Sequence, residues 1–257
     1  MRPADLAYTG PSKPVVGILG GMGPSATADF MAKLVARTPV SSESDHLPVA
    51  LWSNPEIPDR TRALIGRGPS PVPAMADGVR RLLDLGATTI AIPCNTAHAF
   101  IDDLRARTHA HFLNMIEAAV AAARSEHPDM RAVGILSTAG TRRTGLYTAA
   151  CRRAGLIPIE LPEIDQARLV NPSISEVKTG ADRRAALARI HDATAVLAQL
   201  GASAVIAGCT EIPLITGKAA EVLPIVDATD CLARAVITHV RHAGSREKLS
   251  AWERSNR

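Results

Sequence analysis

The sequence predicts an α/β protein of two similar lobes, each built on a parallel sheet, the pair related by a pseudo-twofold axis. Three observations predict it. Short apolar, β-branched runs alternate with longer helical patterns, the signature of βαβ units. Aromatic residues are 3% of the 257-residue chain against 46% hydrophobic. The core must therefore be built from Ala, Val, Ile and Leu, which suits buried parallel strands under Ala-rich helices. Finally, two motifs recur in the same order. VGILGGMG starts at Val16 and VGILSTAG at Val133, and each is followed later by a strand ending at a cysteine, TTIAIPCNT at Cys94 and ASAVIAGCT at Cys209. Gly17 stands 77 residues before Cys94, and Gly134 stands 75 before Cys209. Matched motifs at matched spacing point to internal duplication.

Taken in order, a strand over 14–19 runs into a small-residue turn and a helix over 25–37. A strand over 48–52 follows. The Gly- and Pro-rich segment 66–73 is a loop inside the lobe rather than a linker. A helix over 74–85 leads to the strand over 88–92 and so to Cys94. Asn95 and Thr96 are good N-cap types ahead of the helical AHAFIDDLRAR. The break between lobes falls near 112–115. Helix 114–124, strand 132–136, helix 145–154, strand 157–160 and helix 181–200 lead to the strand over 204–207 and to Cys209, with Thr210 and Glu211 starting another helix. A last strand over 224–226 and helix over 228–241 are expected to return to the first lobe. The first lobe is then 14–112 plus 223–241, the second 113–222, and 1–13 and 242–257 are tails. Crossovers should be right-handed.

The formal charge of +4 invites a nucleic-acid reading that its location argues against. Residues 241–257 carry five basic and two acidic side chains, and residues 1–14 carry two basic and one acidic, leaving 15–240 formally neutral. Basic tails on a neutral body, with no basic stripe interleaved with aromatics, do not make a phosphate-binding face. No stretch is apolar enough to cross a bilayer. The first fourteen residues hold Pro, Asp and Gly where a signal peptide needs an apolar run. A cytoplasmic protein with reduced thiols is expected. The four cysteines form no C-x-x-C pair, so no metal site is expected.

Ligands of open α/β sheets bind outside the carboxyl ends of the strands, where Cys94 and Cys209 are placed. A pseudo-twofold axis makes them face each other across the cleft between lobes. Inverting a stereocentre by proton transfer needs a base on one face and an acid on the other, with roles exchanged in reverse. One thiolate and one thiol meet that need. A helix N-terminus lowers a thiol's pKa, and its free N–H groups hold a carboxylate. Those donors would stabilise the charge that develops when an α-proton leaves. Cys151 and Cys231 fall mid-helix without counterparts and read as packing residues.

The segments ILGGMGPSAT, SNPEIPDRT, IPCNTAHAF, LSTAGTRRTGLY, VKTG and AGCTEIPL resemble the aspartate/glutamate racemase family, the aspartate racemases in particular, over nearly all of 15–241. The resemblance implies two flavodoxin-like lobes, no pyridoxal phosphate, no metal or other cofactor, and a homodimer. It places the catalytic cysteines on Cys94 and Cys209. A substrate-carboxylate arginine falls on Arg60 and a lysine of related role on Lys178. Met22, Asn95, Thr96, Thr210 and Glu211 fall on lining positions. The expected partner is a small acidic amino acid, not nucleic acid or a membrane. Independently, a guanidinium suits bidentate carboxylate recognition. Arg60 could instead pair with Asp59 or Glu56, Lys178 could be a helix C-terminal charge, and His98 reads as a satisfied core histidine rather than a catalytic group.

Three alternatives remain. GMGPSA (21–26) fits a dinucleotide fingerprint formally, but the second strand ends without an acidic residue for a ribose, and Pro24 removes a donor. A maleate-type isomerase, or a racemase of glutamate or hydantoins, would share the two thiols. A non-catalytic binding protein on the same scaffold is disfavoured by the intact cysteines.

Overall fold

The computed structural model describes residues 11, 13–216 and 222–255, with side chains through His242. The first lobe carries β1 (Val15–Gly20), α1 (Pro24–Arg37), β2 (Val49–Ser53), α2 (Arg60–Leu64), α3 (Val72–Asp84), β3 (Ala87–Ala91) and α4 (Ile101–Thr108). α5 (Met115–Glu126) leads into the second, with β4 (Ala132–Ser137), α6 (Ala139–Thr144), α7 (Leu146–Arg153), β5 (Ile157–Glu160) and α8 (Glu163–Asp165). Then come α9 (Asn171–Thr179), α10 (Arg183–Gln199), β6 (Ala204–Gly208), α11 (Pro213–Thr216), β7 (Ile225–Asp227) and α12 (Ala228–Ser255).

The two sheets have strand orders β2-β1-β3 and β5-β4-β6-β7, with every pairing parallel. The orders superimpose: β1 corresponds to β4, β2 to β5, and β3 to β6. Gly17 pairs with Ala50 and Ile90, and its counterpart Gly134 with Ile159 and Val205. The duplicated α/β architecture is as the sequence predicts.

One placement is corrected. The strand near 224–226 does not return to the first lobe, because β7 pairs with β6 in the second sheet. Duplication explains why. In the first sheet the same fourth position is held by a single parallel bridge, Ile90 to Phe112, with Ile90 N donating to His111 O and Leu113 N to Ile90 O. Each lobe therefore ends on its own fourth strand, and only the following helix crosses over. α12 packs on α1 of the first lobe, α5 packs on α7 of the second, and α5 and α12 pack on each other. The resulting inter-lobe core joins Val16, Phe30, Met115, Val133, Cys151, Ile206, Cys231 and Val236, all buried. α12 also continues to Ser255, past the expected end at 241; of the expected N-terminal tail, 1–10 and 12 lie outside the described residues.

Local chemistry accounts for most element ends. α3 buries Val72, Met75, Ala76, Val79 and Leu82 at helical spacing, and its first turn takes in part of the segment expected as loop. Asn114 caps α5 by accepting from Ile116 N and Glu117 N, and Asp182 caps α10 in the same way. α6 of the second lobe approaches α2 of the first closely enough that a Cβ on Gly140 would stand 2.5 Å from Thr61 Oγ1. Only glycine admits that contact, and it brings the two lobes together beside the cysteines.

Candidate active site

Cys94 follows β3 and Cys209 follows β6, the equivalent strands, and both line one cavity. All the other candidate residues line it too: Met22, Arg60, Asn95, Thr96, Lys178, Thr210 and Glu211. The enclosed volume is about 10 Å³, room for a single water. A neighbouring cavity of about 300 Å³ shares Asp59, Arg60, Lys178 and Glu211 in its walls. A ligand larger than water therefore needs the cavity walls to move apart.

Cys209 is not an exposed thiol at a helix N-terminus. It is 4% exposed, and α11 after it is only four residues long. Its Sγ donates to Glu211 Oε2 at 2.9 Å, and Thr210 Oγ1 donates to the same oxygen at 3.2 Å. Burial and the Glu211 carboxylate push the Cys209 thiol well above its ordinary value, against a lowering pull from Lys178. The expected low thiol pKa is thus corrected here, because an adjacent anion and loss of water outweigh the backbone donors.

Asn95 and Thr96 do not act as caps. Cys94 is itself the N-cap of a 3₁₀ segment, Asn95–Phe100, with no side-chain cap bond. The two polar side chains instead reach across to the second lobe. Thr96 Oγ1 lies 3.0 Å from Thr138 Oγ1 and 2.8 Å from Thr141 Oγ1, and Asn95 Oδ1 accepts from Tyr147 Oη at 2.6 Å. His98 bonds the Cys94 carbonyl through Nδ1 and accepts Met115 N–H on Nε2, both at 3.0 Å. That is a positioning role, as the satisfied-core reading anticipates.

Two cations complete the cavity. Arg60 opens α2 and is 9% exposed. It does not pair with Asp59, which instead caps α2 by accepting from Arg62 N. Its partners are the carbonyls of Ile57, Pro58 and Met22, and its buried Nε has none. A guanidinium whose hydrogen-bond partners among the described residues are all carbonyls suits an incoming carboxylate. Lys178 sits in the last turn of α9, which Gly180 ends in the left-handed conformation, and it also lines the cavity. Burial works against its charge, but Cys209, Glu211 and Cys94 outweigh it and raise the pKa above 10.5. Lys178 stays an ammonium. Arg60 stands on the segment that follows β2 and Lys178 on the one that follows β5.

Sequence reasoning missed Asp59, Thr61 and Thr138 in the lining and Tyr147 behind it. A signal existed for Thr138. It aligns with Gly21 in the repeated VGIL motif, next to the turn that carries Met22. Cys151 and Cys231 lie in the inter-lobe core, and burial pushes both thiols up to about 11.

Comparison with known proteins agrees with this geometry. The chain is similar in structure to Picrophilus torridus aspartate racemase, with a TM-score of 0.78 and 31% identity, over 88% of this chain and 94% of that one. It is 25% identical over 228 residues to the broad specificity amino-acid racemase RacX of Bacillus subtilis (strain 168), covering 87% of this chain and 97% of that enzyme. It is 29% identical over 217 residues to glutamate racemase from Deinococcus radiodurans, covering 81% of this chain and 66% of that enzyme. The profile described as Asp/Glu/hydantoin racemase matches residues 19–236, most of the sequence, and the chain belongs to that family of racemases.

Proposed function

We propose that the protein interconverts L- and D-aspartate by two-base proton transfer at Cα, using Cys94 and Cys209 without a cofactor. The observation that carries it is one cavity lined by two repeat-equivalent cysteines and two cations, of which Arg60 hydrogen-bonds only carbonyls among the described residues. One cysteine, as thiolate, takes the α-proton. The electron pair left on Cα delocalises into the α-carboxylate, and the other cysteine, as thiol, returns a proton to the opposite face. Cys209, hydrogen-bonded to Glu211 and raised in pKa, begins as the acid, and Cys94 begins as the base. When the reaction runs backward, Cys209 is the thiolate that takes the α-proton, supported by Lys178, and Cys94 is the thiol that returns one. Arg60 and Lys178 take the side-chain carboxylate. Asn95, Thr96 and Thr210 line the α-carboxylate end, and Met22 supplies an apolar wall.

Aspartate is favoured over glutamate by the aspartate racemase likeness, one methylene of pocket depth being worth about 1–3 kcal/mol. The lobes in this reading divide at 112/113, and the family resemblance supports a homodimer. The test is incubation with single-enantiomer aspartate, glutamate and neutral amino acids in deuterium oxide, followed by chiral chromatography and mass spectrometry. Inversion with deuterium at Cα is expected for aspartate, and its loss in both Cys94→Ser and Cys209→Ser. Full racemisation by either variant overturns the two-thiol reading.

A further inference from the structure

Tyr147 lies in the first turn of α7 and is 2% exposed, within the inter-lobe core. It does not line the catalytic cavity; Asn95 does. The phenol reaches from the second lobe to the first, its hydroxyl donating to Asn95 Oδ1 at 2.6 Å. Gly208, immediately before Cys209, makes room for the ring, since a Cβ there would stand 2.8 Å from Tyr147 Cε2. The last residue of β6 and the residue after Cys94 are thus coupled through one aromatic ring.

A primary amide is chemically two-sided, an acceptor oxygen beside a donor NH₂. With Oδ1 occupied by Tyr147, the Asn95 Nδ2 is buried and has no partner among the described residues. A buried donor without a partner on a cavity wall calls for an explanation, and a carboxylate ligand supplies one. We propose that Tyr147 is a positioning residue that locks the Asn95 amide with its NH₂ presented to the substrate's carboxylate. The inference rests on the racemase reading above and deepens it. Remove the hydroxyl and the amide is free to turn over, setting an oxygen against the carboxylate. The carboxylate gathers charge as the α-proton leaves, so the NH₂ is worth more in the transition state than in the bound substrate. Burial, with the neighbouring cysteines, pushes the phenol well above 10, so it stays a donor throughout the working range.

The test compares wild type with Tyr147→Phe, Asn95→Ala and the double variant. Tyr147→Phe should lower kcat/KM for aspartate about tenfold, the value of one buried hydrogen bond, mostly in kcat. Added to Asn95→Ala it should lower nothing further. If the two losses multiply, Tyr147 merely packs and the proposal falls. A readout without turnover separates this from the racemase reading. The Asn95 side-chain NH₂ resonances, assigned by their absence in Asn95→Ala, should be a distinct pair in wild type and should shift and broaden in Tyr147→Phe. An unchanged pair overturns the proposal even if no amino acid is racemised, whereas a wild type that racemises nothing overturns the racemase reading instead.

Discussion

Replacing His98 separates two buried hydrogen bonds beside Cys94. Met115 N–H can only donate, so the His98 Nε2 that receives it at 3.0 Å carries no proton. The ring is therefore the Nδ1–H tautomer, and that hydrogen goes to the Cys94 carbonyl at 3.0 Å. Asn114 satisfies Ile116 N and Glu117 N, leaving Met115 N as the open donor of the α5 first turn that His98 covers. His98→Asn keeps a side-chain nitrogen near the Nδ1 position and loses only the Met115 bond, at a cost of about 1–3 kcal/mol for one orphaned buried group. His98→Ala orphans both groups, about 2–6 kcal/mol, a large share of a typical stability of about 5–15 kcal/mol. Burial lowers the His98 pKa below 6.5. Between that lowered value and 6.5 the unfolded chain binds the extra proton and the folded chain does not, so stability rises with pH. The contribution is complete above 6.5 and drains away as pH falls below it. His239, lowered by burial and by His111 and His242, adds a slope of the same sign that His98 variants retain. Urea unfolding at several pH values, followed by circular dichroism, reads both effects. A loss under about 0.5 kcal/mol in His98→Ala, which is the range of inert surface changes, or an acid slope in His98→Asn equal to that of wild type, refutes the assignment.

Arg60→Lys should raise KM for aspartate about 10- to 100-fold, because one ammonium replaces a planar fork, with little effect on any neutral amino acid turned over; equal effects on both would remove Arg60 from side-chain recognition. Glu211→Gln in a Cys94→Ser background should bring the Cys209 titration down, since the carboxylate that disfavours its thiolate is gone while Lys178 remains. Ultraviolet thiolate absorbance against pH measures it, and an unmoved titration would mean burial alone holds that thiol up.

The fold was legible because the duplication repeats both spacing and chemistry. Two VGIL strands and two strand-terminal cysteines define two of the three equivalent strand pairs, and β2 and β5 make the third by their place in the strand order. The fourth pair was not legible because one copy is a three-residue strand and the other a single bridge at Phe112. Neither is long enough to show a period, and sheet membership depends on a partner far along the chain. The cavity's residue types were readable from the motifs, but their pairings were not. Asn95 and Thr96 carry strong local cap chemistry, yet Tyr147, Thr138 and Thr141 of the other lobe take their side chains. Cys209 follows the same principle: its sequence neighbours suggest an acidic thiol, and the carboxylate two residues on, folded back over it, reverses the direction.

That reversal makes the two thiols unequal, although the reaction imposes a symmetry. L- and D-aspartate have equal free energy in achiral water, so the equilibrium constant is one and kcat/KM must match in the two directions. Duplication supplied two chemically identical groups on opposite faces, and divergence then altered their surroundings. Cys209 gained Glu211 at 2.9 Å, while Cys94 has its carbonyl held by His98. Such asymmetry cannot favour one enantiomer in kcat/KM. It can only divide that shared constant differently between kcat and KM for the two substrates. A change at Glu211 or Lys178 must therefore lower kcat/KM by the same factor from either enantiomer, and the surroundings of the two thiols act by fixing which protonation state waits for substrate.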